Sequence, residues 1–283
     1  MNARAHLVLL PYRPPLAWRP LLAFLSARAI PGVEIVTGQT YRRTIRIDDH
    51  LGHVEVAREP RRHALALRAW LHDPRLLPEV VERVSGIFDL AADPRVIAGH
   101  LGLDAVLAAR VRRLPGLRVP GAWEGFELGI RAILGQQVTV KGASTLAGRL
   151  VSLCGRALES ADGGLTHVFP RPADVAAADL SRLGVPARRQ ACLRAFATAL
   201  AEGSVSFSQH GLESALDDLP GIGDWTVQYM LMRVCRDPDA FPASDLWLRR
   251  SAGAPSVASL IDRAEAWRPW RAYAAMYLWQ GGA

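Results

Sequence analysis

Apolar residues alternate with polar ones early in the chain and recur at intervals of three and four from about residue 73 onward. Alternation puts every second side chain on one face of a strand, whereas the three–four spacing builds one face of a helix. The opening residues lead straight into a strand-like segment. Leu16 to Ala29 then reads as a helix carrying Leu21, Leu22, Phe24 and Leu25, stopped by Pro31-Gly32. Thr44 to Ile47, His53 to Val56 and His63 to Leu67 read as strands, with Asp49 to Gly52 and Arg58 to Arg62 as turns. The pattern over 1–88 predicts a small antiparallel sheet with a helix on one face.

Beyond it the spacing predicts helices over 78–87, 97–112, 124–135, 140–153, 172–183, 186–202, 211–218, 224–235, 245–251 and 258–279. At Leu183-Gly184-Val185-Pro186 a stop is followed by a start: Gly184 fits the position just past a helix and Pro186 a first helical turn. No fixed-period repeat, low-complexity tract or long linker interrupts the series. The fold class expected is α+β. A small N-terminal antiparallel sheet domain (1–88) leads into two mostly helical subdomains. One is 89–124 plus 238–283; the other, 125–237, contains a helix–hairpin–helix.

Half of the 283 residues are hydrophobic, which suits a globular chain. No apolar run approaches the ~18 residues of a membrane span. Residues 1–6 show no charged, apolar and cleavage regions of an export signal, so a cytoplasmic protein is expected. The net charge of +7 favours a polyanionic partner, above all nucleic acid. Residues 105–150 concentrate Arg110, Arg112, Arg113, Arg118, Arg131, Lys141 and Arg149 against Glu124 and Glu127. A solvated basic face and a phosphate footprint explain that stretch equally well. Cys154, Cys192 and Cys235 are too dispersed for a zinc knuckle or an iron–sulfur cluster and read as free thiols. His6, His50, His53, His63, His72, His100, His167 and His210 form no metal-like pair.

The most specific local signal is Leu219-Pro220-Gly221-Ile222-Gly223-Asp224-Trp225-Thr226, with an amphipathic stretch on each side. Two helices joined by a tight Pro-Gly-x-Gly turn let main chain approach another surface closely. The second helix then turns its first N–H groups outward, where they can hold a phosphate oxygen without reading sequence. An ordinary compact helix–helix turn is the bland alternative. Farther on, two prolines mark Asp237 to Ala243 as a loop, and Ser244-Asp245 opens another helix. Alone, Asp245 would be a helix cap. Ser244 could cap equally well, which would free Asp245 to face a cleft. A carboxylate beside an anomeric carbon can stabilise an oxocarbenium-like transition state or orient the attacking water.

The hairpin and its downstream aspartate resemble the Gly/Pro/Asp signature of helix–hairpin–helix base-excision DNA glycosylases. Phe88-Asp89-Leu90, Val119-Pro120-Gly121, Phe126-Glu127, Arg131 to Gln136 and Trp267-Arg268-Pro269-Trp270-Arg271 extend the likeness over nearly the whole chain. Together they resemble the DNA-3-methyladenine glycosylase II (AlkA-type) family. That resemblance implies Asp245 as the catalytic aspartate and Trp225, Tyr229 and Trp279 as the base pocket. It implies that Gly221, Ile222, Gly223 and Thr226 hold the DNA backbone. It also implies that the carbonyls of Asp217, Leu219 and Ile222 hold a structural monovalent cation, Na or K, with no other cofactor required. The wedge position falls on Gln137, where familiar members carry leucine.

Members that also cut the strand carry a lysine at the second residue after the last hairpin glycine; here it is Trp225, and Lys141, the single lysine, lies elsewhere. The expected enzyme is therefore a monofunctional hydrolase acting on alkylated bases in duplex DNA, monomeric and associated with the nucleoid. Eight of the thirteen Trp and Tyr residues lie between 225 and 279. Aromatic faces there would suit a cationic alkylated purine, while Trp267, Trp270 and Tyr273 are expected to pack the core. Two other readings remain open: a non-enzymatic hairpin that only holds DNA, and a glycosylase for deaminated bases such as hypoxanthine or uracil.

Overall fold

A computed structural model describes residues 4–207 and 211–280; His210 lies outside them. The N-terminal part is a five-stranded antiparallel sheet in the order β1-β5-β4-β3-β2. Its strands are β1 (Arg4–Pro11), β2 (Glu34–Thr37), β3 (Thr40–Ile47), β4 (His50–Glu59) and β5 (Ala64–Leu71), and helix α1 (Trp18–Arg28) lies between β1 and β2. Tyr41 pairs with Val56, Arg43 with Val54, and Val56 with Leu67. This register gathers Tyr41, Ile45, Val54, Val56, Leu65 and Leu67 into the core, where Leu21, Leu22, Phe24 and Leu25 of α1 are also buried.

Both expected turns are shorter than the pattern suggests: of Asp49 to Gly52 only Asp49 lies in the turn, and of Arg58 to Arg62 the turn keeps Pro60 to Arg62. Strand β4 begins at His50 and runs to Glu59, so the reversal is made at Asp48-Asp49, with Asp48 at φ +50°. Gly52 serves strand pairing there: a Cβ would stand 2.5 Å from the Trp70 carbonyl oxygen. Strand β2 was not expected, because only four residues of mixed polarity form it.

The remainder is helical apart from one hairpin. Its helices are α2 (Leu77–Ile87), α3 (Pro94–Leu101), α4 (Ala108–Arg113), α5 (Gly125–Leu134), α6 (Val140–Cys154), α7 (Pro172–Ala177), α8 (Ala187–Ala201), α9 (Leu212–Asp217), α10 (Asp224–Arg233), α11 (Leu246–Ser251), α12 (Val257–Ala264) and α13 (Arg271–Trp279). Three long stretches expected as single helices are divided. Asp93 caps α3 through Arg95 and Val96 N–H groups, and a turn at Gly102 to Leu107 precedes α4. Asp179 caps a separate 3-10 turn after α7. Pro269, which lacks an N–H, separates α12 from α13. Strands β6 (Arg156–Asp162) and β7 (Leu165–Val168) form a hairpin that the helical pattern missed; the Asp162-Gly163-Gly164 turn was its signal. Gly184 adopts the left-handed conformation at φ +69°, and Pro186 is the residue before α8 rather than its first turn.

The alternation of β3 also drives one charge inward. Arg43 points to the same face as Tyr41 and Ile45 and is 2% exposed. Its guanidinium makes a two-pronged contact with Glu127 of α5, at 2.6 and 3.3 Å. Glu34 accepts from Tyr41 at 2.6 Å, from Ile30 N–H at 3.1 Å and from Arg131 at 3.0 Å. Burial would raise the Glu34 carboxyl, but the Arg131 and Arg43 charges and these hydrogen bonds hold it below its ordinary value. The basic stretch 105–150 is thus partly interior: Arg131 is paired, and Arg118 is buried with its guanidinium on the carbonyls of Arg13, Asp89 and Ala92. Arg112, Arg113, Lys141 and Arg149 remain exposed. The three cysteines are free thiols.

Candidate active site

Helix α9, the turn 218–223 and α10 form the hairpin. Gly221 sits at φ +85°, a conformation that side chains rarely adopt, and its turn packs toward Cys192 of α8. Gly223 precedes α10 with nothing within 4 Å of a would-be Cβ, so bare main chain opens outward at the helix start. No side chain caps α10. Thr226 departs from expectation: it is 2% exposed and its N–H donates to the Gly223 carbonyl at 2.8 Å, so it is held within the protein. Gly221 and Gly223 are exposed and Ile222 is half-buried.

The hairpin is tied to a second loop. Gln136 Nε2 donates to the Gly221 carbonyl at 2.9 Å, and the Gln136 carbonyl accepts from Arg189 at 2.5 Å. The next residue, Gln137, is exposed and left-handed at φ +58°. No local sequence signal gives Gln136 a role, although this contact ties the two loops together.

Between that loop and α11 lies a cavity of about 360 Å³, within the range of roughly 300–1,000 Å³ for ligand clefts. Trp225, Tyr229, Trp279 and Asp245 all line it. Trp225 stacks on Tyr229 with ring centres 4.9 Å apart and planes 12° apart, and Trp279 meets Tyr229 edge-on at 6.3 Å. Helical spacing places 225 and 229 one above the other, which produces the stack. Arg233, one turn farther, donates to the Tyr229 hydroxyl at 2.5 Å and to the Pro120 and Gly121 carbonyls at 2.7 and 2.9 Å. The Val119-Pro120-Gly121 segment therefore anchors the arginine that fixes the pocket tyrosine. Burial would raise the Tyr229 phenol, but Arg233, Arg28 and Arg131 hold it below its ordinary value. Trp267, Tyr273 and Tyr277 are core residues, as expected for the first two.

Asp245, rather than Ser244, caps α11. The helix begins at Leu246, so the capping position falls on Asp245, whose Oδ1 accepts from the N–H groups of Trp247 and Leu248 at 2.8 and 3.0 Å. Capping and facing the cleft are not exclusive: Oδ2 accepts from the Trp225 indole Nε1 at 2.9 Å. Three donors hold one carboxylate at the edge of the cavity. The cavity also takes in Arg28, Arg131, Val138, Val140 and Trp247, none of them expected there. Trp247 is 56% exposed beside Asp245 and was discoverable as an aromatic in the helix's first turn. Arg28 comes from the sheet part of the chain, and no local signal points to it. Among the described residues no group of three His, Cys, Asp or Glu could hold a metal, and no helix is long and apolar enough to cross a membrane.

A family model described as the AlkA N-terminal domain matches residues 7–124. The DNA-3-methyladenine glycosylase 2 of Escherichia coli is 35% identical over 275 residues, which are 95% of this chain and 95% of that protein. A Mycobacterium tuberculosis protein named as a probable bifunctional transcriptional activator/DNA repair enzyme AlkA is 40% identical over 278 residues, 95% of this chain. The chain spans 56% of that relative's length. A 3-methyladenine DNA-glycosylase from Archaeoglobus fulgidus shares the fold, with TM-score 0.81, 22% identity and 96% of each chain covered. The N-terminal sheet, the hairpin and the aromatic cleft beside a capping aspartate define a helix–hairpin–helix glycosylase fold. The chain belongs to the AlkA family of DNA-3-methyladenine glycosylases.

Proposed function

We propose that this chain is a monofunctional DNA glycosylase that hydrolyses the N-glycosidic bond of alkylated bases, such as 3-methyladenine and 7-methylguanine, in duplex DNA. The observation that carries this reading is the Asp245 carboxylate held at the rim of a cavity walled by the Trp225–Tyr229 stack. The cavity of about 360 Å³ beside that stack can receive a purine rotated out of the duplex, and aromatic faces attract the positive charge that N-alkylation confers. Bond cleavage returns the electron pair to the base and neutralises it. Little protonation of the base is then needed, and one carboxylate suffices to stabilise the oxocarbenium-like sugar and orient the water that bonds to C1′.

The position occupied by a nucleophilic lysine in strand-cutting relatives is Trp225, whose indole is committed to Asp245. Water is therefore the nucleophile, and borohydride should trap no covalent protein–DNA adduct.

Binding to DNA follows the same reading. Exposed main chain at Gly221, Ile222 and Gly223 meets a phosphate, and Gln137 enters the duplex where the base has left. The cofactor part of the reading is a monovalent cation on the Asp217, Leu219 and Ile222 carbonyls. Neutral oxygens of one tight turn suit such an ion, and the left-handed Gly221 makes the turn tight. The sheet unit 1–88 leads into the helical units 89–124 plus 238–283 and 125–237, with the DNA cleft between the latter two. The protein acts as a monomer on damaged double-stranded DNA in the cytoplasm. Incubation with methylated duplex DNA, followed by identification of the released bases, tests the proposal: it requires free methylpurines and intact strands.

A further inference from the structure

Two helices next to the hairpin carry cations and no anion. Helix α6 holds Lys141 and Arg149, helix α8 holds Arg188, Arg189 and Arg194, and neither contains an Asp or Glu. Two of these cations serve the fold. Arg189 donates to the Gln136 carbonyl at 2.5 Å, and Arg194 donates to the Ala176 and Ala178 carbonyls. The other three do not: Lys141, Arg149 and Arg188 are exposed, and among the described residues none is paired with a carboxylate or makes a side-chain hydrogen bond. Lys141 and Arg188 each occupy the second position of their helix, where the positive end of the helix dipole makes a cation unfavourable for stability.

The three surround the loop that carries Gln137. Lys141 follows Gln137 by one turn at the start of α6. Arg149 lies eight residues on, about 12 Å along the axis in the same i, i+4 row, and its guanidinium stands 3.6 Å from where a Gly184 side chain would begin. From Gly184 the chain enters α8, where Arg188 adjoins the arginine bound to Gln136 and the next turn packs Cys192 against Gly221. The strip of charge thus leaves the loop along α6 and returns to the hairpin along α8.

We propose that Lys141, Arg149 and Arg188 form a second phosphate-binding surface, which grips the DNA backbone beyond the phosphate met by the hairpin. The inference rests on the glycosylase reading and lengthens its contact with the duplex. Phosphates follow one another every ~3.4 Å of duplex axis along each strand, so a strip of about 12 Å meets several. Hairpin main chain fixes register through oriented N–H groups. Mobile side-chain cations instead act by releasing counterions and read no sequence, which gives the protein a hold on any duplex, damaged or not.

The test is the salt dependence of binding to a duplex containing a tetrahydrofuran abasic analogue, which has no base to lose. Each phosphate contact contributes about 0.9 to the slope of log affinity against log salt. Lys141→Gln, Arg149→Gln and Arg188→Gln should each flatten the slope by about 0.9. The triple variant should flatten it by about 2.7, so that raising salt from about 50 to 200 mM costs it roughly 40-fold less affinity than wild type. Its melting temperature should hold or rise, because two cations leave positive helix ends. The control removes the same charge elsewhere: Arg61→Gln, Arg62→Gln and Arg95→Gln together, all exposed and none lining the cleft, should change the slope by less than one contact. Equal flattening by both triple variants, or less than one contact's change in the first, overturns the inference and leaves a solvated basic face. A wild type that binds the duplex with a steep slope but releases no methylpurine from methylated DNA defeats the glycosylase reading and leaves the surface standing.

Discussion

The indole N–H of Trp225 lies 2.9 Å from Asp245 Oδ2, joining the second helix of the hairpin to the carboxylate that caps α11. The two backbone N–H groups on Oδ1 fix the side chain from its own helix, and the indole fixes it from across the cleft. One residue thus walls the pocket by stacking on Tyr229 and aims the carboxylate.

Trp225→Phe separates those roles. The ring stack on Tyr229 is kept and the Nε1 donor is lost. Single-turnover base release should fall about tenfold, as expected for the loss of one hydrogen bond to a charged group. Affinity for abasic DNA should stay within about twofold. Equal release by the variant would show that the indole does not position Asp245.

The Arg43–Glu127 pair is a buried link between the sheet and α5. Removing one partner strands the other charge. Glu127→Ala should therefore lower unfolding free energy by about 3–5 kcal/mol, read by urea denaturation. A loss below about 1 kcal/mol would mean that Glu34, 3.6 Å from Arg43, neutralises it alone.

Asp89 predicts a pH dependence. Burial pushes its carboxyl up to about 6, against the Tyr273 hydroxyl at 2.8 Å, the Arg118 charge and the Val119 N–H at 3.3 Å. Because the folded value lies above the unfolded one, the proton binds more tightly in the folded state. The contribution is full below about pH 3.8 and is lost as pH rises through about 6, roughly 3 kcal/mol in all. Asp89→Asn should remove that slope, so that wild-type stability minus variant stability declines between pH 4 and 7. A difference independent of pH would contradict the assignment.

The sheet, the hairpin and the order of helices were legible in the sequence because alternation, the Pro-Gly-x-Gly turn and the three–four spacing are local signals. Trp225, Tyr229, Trp279 and Asp245, the residues the resemblance singled out, line one cavity. The errors came where tertiary contact decides. Gly52 looked like a turn residue, yet the neighbouring strand requires its missing side chain. Ser244 and Asp245 are equal caps by type, and only the helix start at Leu246 chooses between them. Thr226 stands beside the exposed hairpin in sequence, but one helical turn carries it into the core. Arg28 comes from far along the chain to line the cleft, and Glu34 to pair with Arg131, which lines it; no short-range pattern records either meeting.

The most direct test of the central claim is base release by Asp245→Asn on methylated duplex DNA under single-turnover conditions. An asparagine oxygen can still cap α11, so the fold and DNA affinity should survive. The release rate should fall at least about 100-fold, the scale of losing a preorganised electrostatic stabiliser, with DNA binding within a few-fold of wild type. Release at the wild-type rate would contradict that claim.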